Sequence, residues 1–417
     1  MTGKNMEEKS TLANIFYNTF GSLFYYGCQW LTTILIVRLS GYEDAGYYSL
    51  AMTFTAAFGI LALYNTRQFQ ASDVQGEYND RTYIVSRYAA MALAFVICAL
   101  GLLFNAYPVF QWLVILFYMV FKCGEAWADV YHGICQKNGR MDFICYSFLM
   151  RGVLDFLCFC GVIYLTGNLL LGVLAMTAAT CLVVFFYDRH MASKFVQAGE
   201  KADYKALKTL MVTLIPLVIV SVVNNLSVSI PKYFLERYFD ATVLGYYSSV
   251  ATPSLIVQVG ALTIFTPLIT PLADKLLAND KKGFGGILKK VFLAFAVLSV
   301  LAILASYLLG EWCLVLVFGE EIRPYTYLFV PIIISTLLIS INACLFPVCT
   351  VFREIKGQLF VGIAGILSSL AASVFFVKRY CMDGVVTALF ITLGIQIIIQ
   401  VCLVYQRMRK WKEIGNG

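Results

Sequence analysis

Long apolar segments follow one another along the whole chain, separated by short polar loops. A soluble globule cannot hide this much apolar side chain, because 60% of the 417 residues are hydrophobic and only 13% are charged. Each segment is long enough to cross a hydrocarbon core of about 30 Å, whereas the stretch at 312–318 is too short to add another. The sequence therefore predicts an all-α integral membrane protein with twelve transmembrane helices, at 14–37, 45–66, 83–104, 108–131, 142–165, 168–187, 208–232, 244–272, 286–309, 325–350, 357–377 and 384–406.

The basic residues predict the orientation of these spans, since Lys and Arg accumulate in loops on the cytoplasmic side. With the N-terminus inside, five of the 31 basic residues fall in outer loops and seven within the spans as bounded above, which leaves 19 on the cytoplasmic side. The sequence thus predicts both termini in the cytoplasm, an uncleaved first span and no nucleic-acid partner for the excess positive charge. The five outer residues are Arg38, Arg237, Arg323, Lys378 and Arg379.

The chain also repeats itself about halfway along. The segment from Arg38 to Ser49, with Gly-Tyr-Tyr-Ser at its end, returns 199 residues later from Arg237 to Ser248. A second echo follows, with Asn-Asp-Arg at 79–81 answered by Asn-Asp-Lys at 279–281. Membrane proteins made of two like halves are usually transporters with the substrate site between the halves. We expect an N-terminal lobe at 1–190, a basic cytoplasmic linker at 191–207 and a C-terminal lobe at 208–417.

The first span of each half carries a polar stripe. At 100° per residue, the polar residues of the first span fall within about 60° and those of the seventh within about 80°. We expect the two stripes to line one cavity; alternatively, these side chains only hydrogen-bond neighbouring helices. Prolines 216, 231, 253, 267 and 271 interrupt the seventh and eighth spans and mark them as the moving parts. The stripes consist of Asn14, Asn18, Tyr25, Gln29 and Thr32 in the first span and Ser221, Asn225, Ser229, Lys232 and Glu236 in the seventh.

Charged residues lie in the middle of the fourth and fifth spans. Lys122, Glu125 and Asp129 share an arc of about 60° in the fourth, and Arg151 and Asp155 are one turn apart in the fifth. Lys122 and Arg151 both lie about 14–15 Å from the cytoplasmic ends of their spans, so they can meet near the midplane. Each such charge costs roughly 2.5–3.5 kcal/mol in lipid. Either they neutralise one another, for example Glu125 with Arg151, or they face a cavity that binds an anionic substrate and a coupling cation.

Catalytic signatures and cofactor motifs are absent from the sequence. The two histidines sit at predicted cytoplasmic helix ends, and no P-loop occurs. Most of the thirteen cysteines lie inside apolar segments, with no Cys-x-x-C pair, so we interpret them as small packing residues. Accordingly, the sequence predicts a protein that is not an enzyme and has no cofactor or metal.

Several motifs resemble those of the polysaccharide-transporter branch of the multidrug/oligosaccharidyl-lipid/polysaccharide exporter superfamily, the Wzx-type oligosaccharide-lipid flippases. The resemblance covers essentially the whole chain. It rests on the polar first span, the connection from Arg38 to Gly-Tyr-Tyr-Ser-Leu, the Arg-Gln-Phe-Gln end of the second span at 67–70, and the Val-Phe-Gly-Glu-Glu outer loop at 317–321.

This resemblance implies two pseudo-symmetric six-helix bundles in a V-shaped exporter fold that works by alternating access. The implied function is to flip a polyprenyl-pyrophosphate-linked oligosaccharide from the cytoplasmic to the outer leaflet of a bacterial inner membrane, for O-antigen, capsule or exopolysaccharide synthesis. The implied partners are that substrate, membrane lipids, and the polysaccharide polymerase and chain-length machinery. A proton or sodium gradient is the implied energy source.

If the resemblance holds, the estimated depth of the charged and polar residues in the membrane selects the candidate site residues. The candidates for ion coupling are Glu125, Asp129 and Asp155. The candidates for substrate binding are Lys122, Arg151, Arg38, Lys232, Arg237, Asn18 and Asn225.

Other functions remain open at this point. A drug or metabolite cation antiporter of the same superfamily would share the fold but favour acidic and aromatic cavity walls. A lipopeptidoglycan-precursor flippase commonly has two further helices. A membrane-embedded polymerase or acyltransferase usually has a large outer loop with basic or histidine residues, and a scaffold would need no charges at the midplane.

Overall fold

The computed structural model describes residues 11–73, 77–105, 107–196, 200–265, 271–272, 275–276, 278–352, 354–409 and 411. These residues form helices and short connections, with no strand among them. Their contacts divide the chain into two compact units, Met1–Val222 and Val223–Gly417. The boundary lies inside one long helix, further along the chain than the linker predicted at 191–207.

The first unit begins with two long helices joined at a glycine. Gly41 has a φ of 90°, which a residue with a side chain rarely adopts, and it allows the chain to turn between them. Asn79 caps the fourth helix by accepting a hydrogen bond from the backbone N–H of Thr82. The helices are α1 (Thr11–Ser40), α2 (Tyr42–Leu63), α3 (Thr66–Ser72), α4 (Asp80–Leu103), α5 (Val109–Lys137), α6 (Met141–Thr166), α7 (Leu169–Val183) and α8 (Arg189–Ser193), with a π-helical turn at Val184–Asp188.

Helix α9 (Tyr204–Tyr238) runs from the first unit into the second. Its early residues Leu210, Leu214 and Val218 pack into the apolar core of the first unit. Proline is expected to break a helix interior, yet α9 continues through Pro216 and Pro231. The other helices of the second unit are α10 (Ala241–Ala251), α11 (Ser254–Phe265), α12 (Lys281–Phe318), α13 (Phe329–Val351), α14 (Ile355–Ala372) and α15 (Lys378–Arg409), with a 3₁₀ turn at Glu320–Leu328 and a π turn at Ser373–Val377.

Ten continuous helices of the described residues are long and apolar enough to cross a membrane, and two local features reconcile this number with the predicted twelve spans. The helical stretch Lys356–Arg409 holds two predicted spans. It reverses direction at Cys381, whose φ of 53° is not helical, and a Cβ on Gly384 would lie 2.2 Å from the carbonyl oxygen of Phe376. The predicted span at 244–272 is broken between α10 and α11, and Pro267 lies outside the described residues. The stretch at 312–318 is the continuous end of α12 rather than a separate segment.

Helices at equivalent positions of the two units make the same contacts. In the first unit α2 contacts α4 and α5, α4 contacts α5, and α7 contacts α5 and α6. In the second unit α11 contacts α12 and α13, α12 contacts α13, and α15 contacts α13 and α14. The internal repeat of the sequence is therefore a repeat of packing, and the described residues have the all-α, two-unit architecture predicted from it.

Small residues bring α1 and α6 into close contact. A Cβ on Gly21 of α1 would lie 2.8 Å from the Cα of Cys145 in α6, and one on Gly152 would lie 3.3 Å from the Sγ of Cys28. Without a hydrophobic drive between helices in lipid, such close backbone approach supplies the packing energy. All thirteen cysteines are free thiols, and these two serve as small packing residues.

Candidate functional site

Helix α5 carries four ionisable side chains along one face. Lys122, Glu125, Asp129 and His132 follow one another at spacings of three and four residues, which keeps them on one side of a helix. The α5 side chains Lys122, Glu125 and Asp129 are about a fifth exposed. A charge at this exposure is costly in hydrocarbon, so each of these side chains needs an ion-pair partner or polar surroundings.

Lys122 and Glu125 form an ion pair supported by α1. The Lys122 Nζ lies 2.6 Å from the Glu125 Oε2, and the Tyr25 hydroxyl donates to the Glu125 Oε1 at 2.6 Å. The Gln29 Nε2 donates in turn to the Tyr25 oxygen at 2.8 Å. Two predicted polar positions of the first span thus contact the charged face of the fourth. The example pairing of Glu125 with Arg151 is wrong, because both Glu125 oxygens are taken by other partners.

Arg151 lies behind this pair and is 2% exposed. Its guanidinium carbon sits 5.0 Å from the Tyr25 ring centroid and 5.3 Å from the Phe148 ring centroid, within the range of cation–π contacts. Among the described residues no carboxylate lies within ion-pair distance of it, and its Nε has no hydrogen-bond partner. The structure therefore brings Lys122, Glu125 and Arg151 together around one tyrosine.

Asp129 is bound by two arginines that we did not predict as site residues. The Arg87 Nη2 lies 2.8 Å and the Arg67 Nη1 3.3 Å from the two Asp129 oxygens. Arg87 is completely buried and also donates to the backbone carbonyl oxygens of Ala62 and Leu63. The position of Arg87 inside the predicted span at 83–104 was the sequence signal for such a role.

Asp155 has a neutral hydrogen-bond partner. Both of its carboxyl oxygens lie within 2.8 Å of the Thr180 hydroxyl of α7, and Asp155 is 4% exposed. No basic side chain of the described residues forms an ion pair with it. Asp155 therefore lies apart from the other two predicted coupling carboxylates, which both contact cations.

His132 ends the row of ionisable residues on α5. Its Nε2 lies 3.1 Å from the Ser147 hydroxyl and 3.3 Å from the Asp188 Oδ1, and all three side chains are buried. A nucleophilic triad needs the carboxylate on the other ring nitrogen, so this arrangement does not activate the serine.

The charged groups of the first unit balance. Four basic side chains stand among four carboxyl groups: Lys122, Arg67, Arg87 and Arg151 with Glu125, Asp129, Asp155 and Asp188. Because the row is neutral when all of these groups are charged, an arriving anion can bind only by displacing a carboxylate or where a cation stands alone. Within the described residues, no group of three or more His, Cys, Asp or Glu could hold a metal ion.

The second unit has polar residues of a different kind on the equivalent helices. Gln396 of α15 is fully buried; it accepts from Asn342 of α13 at 2.7 Å and donates to Ser227 of α9 at 3.0 Å. A Cβ on Gly365 would lie 2.1 Å from the Gln396 Nε2, so only glycine leaves room for this amide. Helices α9, α13 and α15 are the counterparts of α1, α5 and α7, which carry Tyr25, Glu125 and Thr180. In the second unit these three helices are thus joined by neutral amides.

The remaining predicted substrate residues are spread along α1 and α9. Lys232 is half-buried, and no ion pair of the described residues includes it; Asn225 accepts a hydrogen bond from Ser229 at 3.5 Å. Asn18 is half-buried on α1. Arg38 and Arg237 are exposed in the last turns of their helices, and Arg38 lies thirteen residues, about 20 Å, along α1 from Tyr25. Within the first unit, Arg38 is therefore separated along α1 from Tyr25, which contacts Glu125.

Two sequence comparisons connect this chain with polysaccharide biosynthesis. A family model described as Polysaccharide biosynthesis protein matches residues 11–276. The capsular polysaccharide biosynthesis protein CapF of Staphylococcus aureus is 25% identical over 297 residues, which are 70% of this chain and 74% of that protein.

Two solved structures are similar in fold at low sequence identity. A mutant of the Vibrio cholerae MATE transporter VcmN has a TM-score of 0.66 and 14% identity, with 97% of each chain covered. A MOP superfamily transporter from Pyrococcus furiosus has a TM-score of 0.68 and 12% identity, with 95% of each chain covered.

Proposed function

Because the chain belongs to the polysaccharide biosynthesis protein family, we propose that it flips a polyprenyl-pyrophosphate-linked oligosaccharide from the cytoplasmic to the outer leaflet. The family, the capsular relative and the transporter fold together make it a multi-pass membrane protein of the polysaccharide-related exporter type. The lipid-linked substrate, the bacterial inner membrane with cytoplasmic termini, and alternating access are the parts that we propose. The product serves surface polysaccharide assembly, such as capsule, O-antigen or exopolysaccharide, together with the polymerase and chain-length machinery.

Physical chemistry makes such a carrier necessary. Each sugar hydroxyl that enters hydrocarbon without a hydrogen-bond partner costs several kcal/mol, and an oligosaccharide has many. A polar cavity that opens sideways to lipid removes this barrier while the polyprenyl chain stays in the bilayer. An inside-negative membrane potential adds about 2.3 kcal/mol per 100 mV for each uncompensated negative charge carried outward.

The observation that carries the proposal is the partly exposed Lys122–Glu125 pair on a membrane-spanning helix. The Lys122 side chain is about a quarter exposed, and its partner Glu125 accepts from Tyr25, whose ring covers the buried guanidinium of Arg151. A pyrophosphate that reaches this pair competes with Glu125 for the ammonium, and charge-assisted hydrogen bonds to phosphate oxygens replace those to the carboxylate. Empty and neutral, the pair lets the carrier return without moving charge.

Coupling to a proton or sodium gradient is a further part of this proposal. Of the three candidate carboxylates, Asp129 is held by two arginines and is least free to bind an ion. Asp155 is buried and has only the Thr180 hydroxyl as a hydrogen-bonding side-chain partner in the described part of the chain, which makes it the candidate for carrying a proton. Sodium would need several more oxygen ligands than this pair supplies.

A drug-cation antiporter of the same fold is the main competing function. An organic cation needs an unpaired carboxylate at an accessible place. Here the two partly exposed carboxylates, Glu125 and Asp129, both form ion pairs with basic residues. The site therefore fits an anion that competes for Lys122 better than a cation.

Translocation in proteoliposomes tests the proposal. The substrate is a fluorescent oligosaccharide on polyprenyl pyrophosphate, and quenching of outer-leaflet fluorescence reports its movement. We expect wild type to flip it, Lys122→Gln to lose at least tenfold in rate, and Lys122→Arg to retain part. Lys282→Gln, which changes an exposed lysine at the start of α12, is the matched control.

Two outcomes would contradict the proposal. Folded wild type that leaves the lipid oligosaccharide in place but exports a cationic dye would establish the antiporter. Equal flipping by wild type and Lys122→Gln would remove the ion pair from the substrate path.

A further inference from the structure

Arg151 presents a physical problem that its surroundings do not solve. A guanidinium has five N–H donors, and no hydrogen bond among the described residues uses any of them. The side chain is 2% exposed, and its guanidinium lies against the faces of Tyr25 and Phe148. Asp188, Glu125 and Asp155 act on its charge from beyond ion-pair distance, so an anion or water in direct contact is still needed to satisfy its N–H donors.

A carboxylate that could complete this shell is close by but held elsewhere. Glu125 contacts the hydroxyl of the same tyrosine whose ring covers Arg151. In a low-dielectric site an arginine and a glutamate would form a strong bidentate pair. Glu125 instead gives one oxygen to Tyr25 and the other to Lys122.

The direction of the hydrogen bonds shows what fixes Glu125. A tyrosine hydroxyl has one proton, and the Gln29 amide already donates to its oxygen at 2.8 Å. The single proton must therefore point to the Glu125 Oε1, 2.6 Å away. Gln29 orients Tyr25, and the Tyr25 hydroxyl holds one oxygen of the Glu125 carboxylate.

We propose that Tyr25 is a positioning residue that keeps Arg151 without a direct ion-pair partner, so that Arg151 binds the anionic group of the substrate. This inference rests on the proposed function and names its anion site. The ring of Tyr25 holds the guanidinium in place, and its hydroxyl prevents Glu125 from neutralising it. The ligand class is a phosphate or carboxylate group, whether of the pyrophosphate or of an acidic sugar.

Binding of a dansyl-labelled farnesyl diphosphate to the protein in nanodiscs tests this role. Tyr25→Phe keeps the ring but releases Glu125, which then pairs with Arg151. We expect roughly tenfold weaker binding, about the loss of one charge-assisted hydrogen bond. Adding Glu125→Gln to Tyr25→Phe removes the competing charge and restores binding, which a merely structural tyrosine would not allow.

Two variants guard this experiment. Tyr118→Phe removes another buried tyrosine hydroxyl on α5, one that contacts neither Glu125 nor Arg151, and should bind as wild type does. Gln29→Met frees the orientation of the Tyr25 hydroxyl and should weaken binding less than Tyr25→Phe. Unchanged binding by Tyr25→Phe, or no rescue by Glu125→Gln, would overturn the proposal.

A thermal double-mutant cycle separates this inference from the proposed function, since it needs no substrate. Glu125→Gln and Arg151→Gln are measured alone and together, first with Tyr25 and then in the Tyr25→Phe background. We expect weak coupling between the two sites in the first case and stronger coupling in the second. Equal coupling in both backgrounds rejects the role of Tyr25. A wild type that ignores the diphosphate probe but shows the expected cycle rejects the substrate instead.

Discussion

Arg87 shows how a single charged residue can be fixed inside a membrane-spanning helix. It is completely buried, and its guanidinium reaches Asp129 and two carbonyl oxygens at the end of α2. The ion pair joins α4 to α5, and the carbonyl oxygens join α4 to α2. Removing one partner would leave the other as an uncompensated charge, which costs more than removing both.

We expect Asp129→Asn to lower the free energy of unfolding by about 3–5 kcal/mol, because Arg87 then stays buried beside a neutral amide. The double variant Asp129→Asn with Arg87→Met should recover most of this loss. Thermal unfolding in detergent measures both, with the exposed Glu321→Gln as control. A double variant less stable than Asp129→Asn would contradict this account.

Asp73 makes a pH-dependent contribution in the connection after α3. Burial raises its pKa, but backbone N–H groups of Tyr78 and Glu77 and the Tyr83 hydroxyl donate to the carboxylate and lower the pKa overall. A pKa that is lower in the folded chain adds stability above the unfolded value of about 3.9, and this stability is lost as the pH falls through the folded value.

The corresponding experiment compares wild type with Asp73→Asn from pH 7 down to pH 3.5. We expect Asp73→Asn to unfold at a lower temperature at pH 7, and the difference to shrink as the pH falls below about 4. A difference that stays constant across this range would show that the carboxylate charge is not responsible.

The partners of the site residues show where sequence reasoning stopped. Helical spacing predicts that Lys122, Glu125 and Asp129 share a face of α5, because 100° per residue is a property of any α-helix. It does not predict that Glu125 forms its ion pair with Lys122 rather than with Arg151. That choice depends on the Tyr25 hydroxyl, which is one hundred residues away in the chain.

At the scale of the helices, close approach of α1 and α6 positions Tyr25 over Arg151. Gly21 on α1 sits against the backbone of Cys145 on α6, with no space for a methyl group. Gly27 lies two turns further along the same helix and has open space around its Cα. The two glycines therefore form a matched pair for testing this contact.

We expect Gly21→Ala to destabilise the protein by about 1–3 kcal/mol, because the added Cβ must push α1 away from α6. Gly27→Ala should be neutral or slightly stabilising, since alanine favours helix. Thermal unfolding of both variants checks this. Equal midpoints for the two would show that α1 and α6 are not in close contact at Gly21.

The reversal at Cys381 shows why the number of spans depends on local backbone. Apolar length predicts separate spans at 357–377 and 384–406, and the described chain does turn between them. Helical hydrogen bonding nevertheless runs almost without a break through a π turn and a single non-helical residue. Length and hydropathy place the turn at the polar residues 378–383 but do not reveal that it is this compact.

At the scale of the molecule, two like units carry different chemistry. The first unit has the charged row of α5 and α6, whereas the second joins the equivalent helices through Gln396 and its neutral neighbours. The comparisons confirm the transporter family and fold that the motifs predicted. The two units thus share their helix packing, and the charged row belongs to the first of them.

The orientation in the membrane is a prediction for the whole molecule. We expect a membrane-impermeant maleimide to label Glu320→Cys in intact cells, and Lys201→Cys only after permeabilisation. Wild type measures the background from the natural cysteines. The physical basis is the excess of Lys and Arg in the loops assigned to the cytoplasm. Labelling of Lys201→Cys in intact cells would show that the chain has the opposite orientation, and the proposed direction of transport would then be wrong.

The sequence by itself determined that the chain lies in a lipid bilayer, that it is built of helices and that it contains an internal repeat. Hydrocarbon admits only helices whose backbone groups bond internally, so twelve apolar segments leave little choice of fold class. The motifs also identified the family.

Only the tertiary structure decided which charges meet, because a side chain in lipid takes whatever partner packing brings within reach. Tertiary packing assigned Arg67 and Arg87 to Asp129, Thr180 to Asp155 and Lys122 to Glu125. It also left Arg151 between two aromatic rings, a placement set by the close contact of α1 with α6 and invisible in any local pattern of residues.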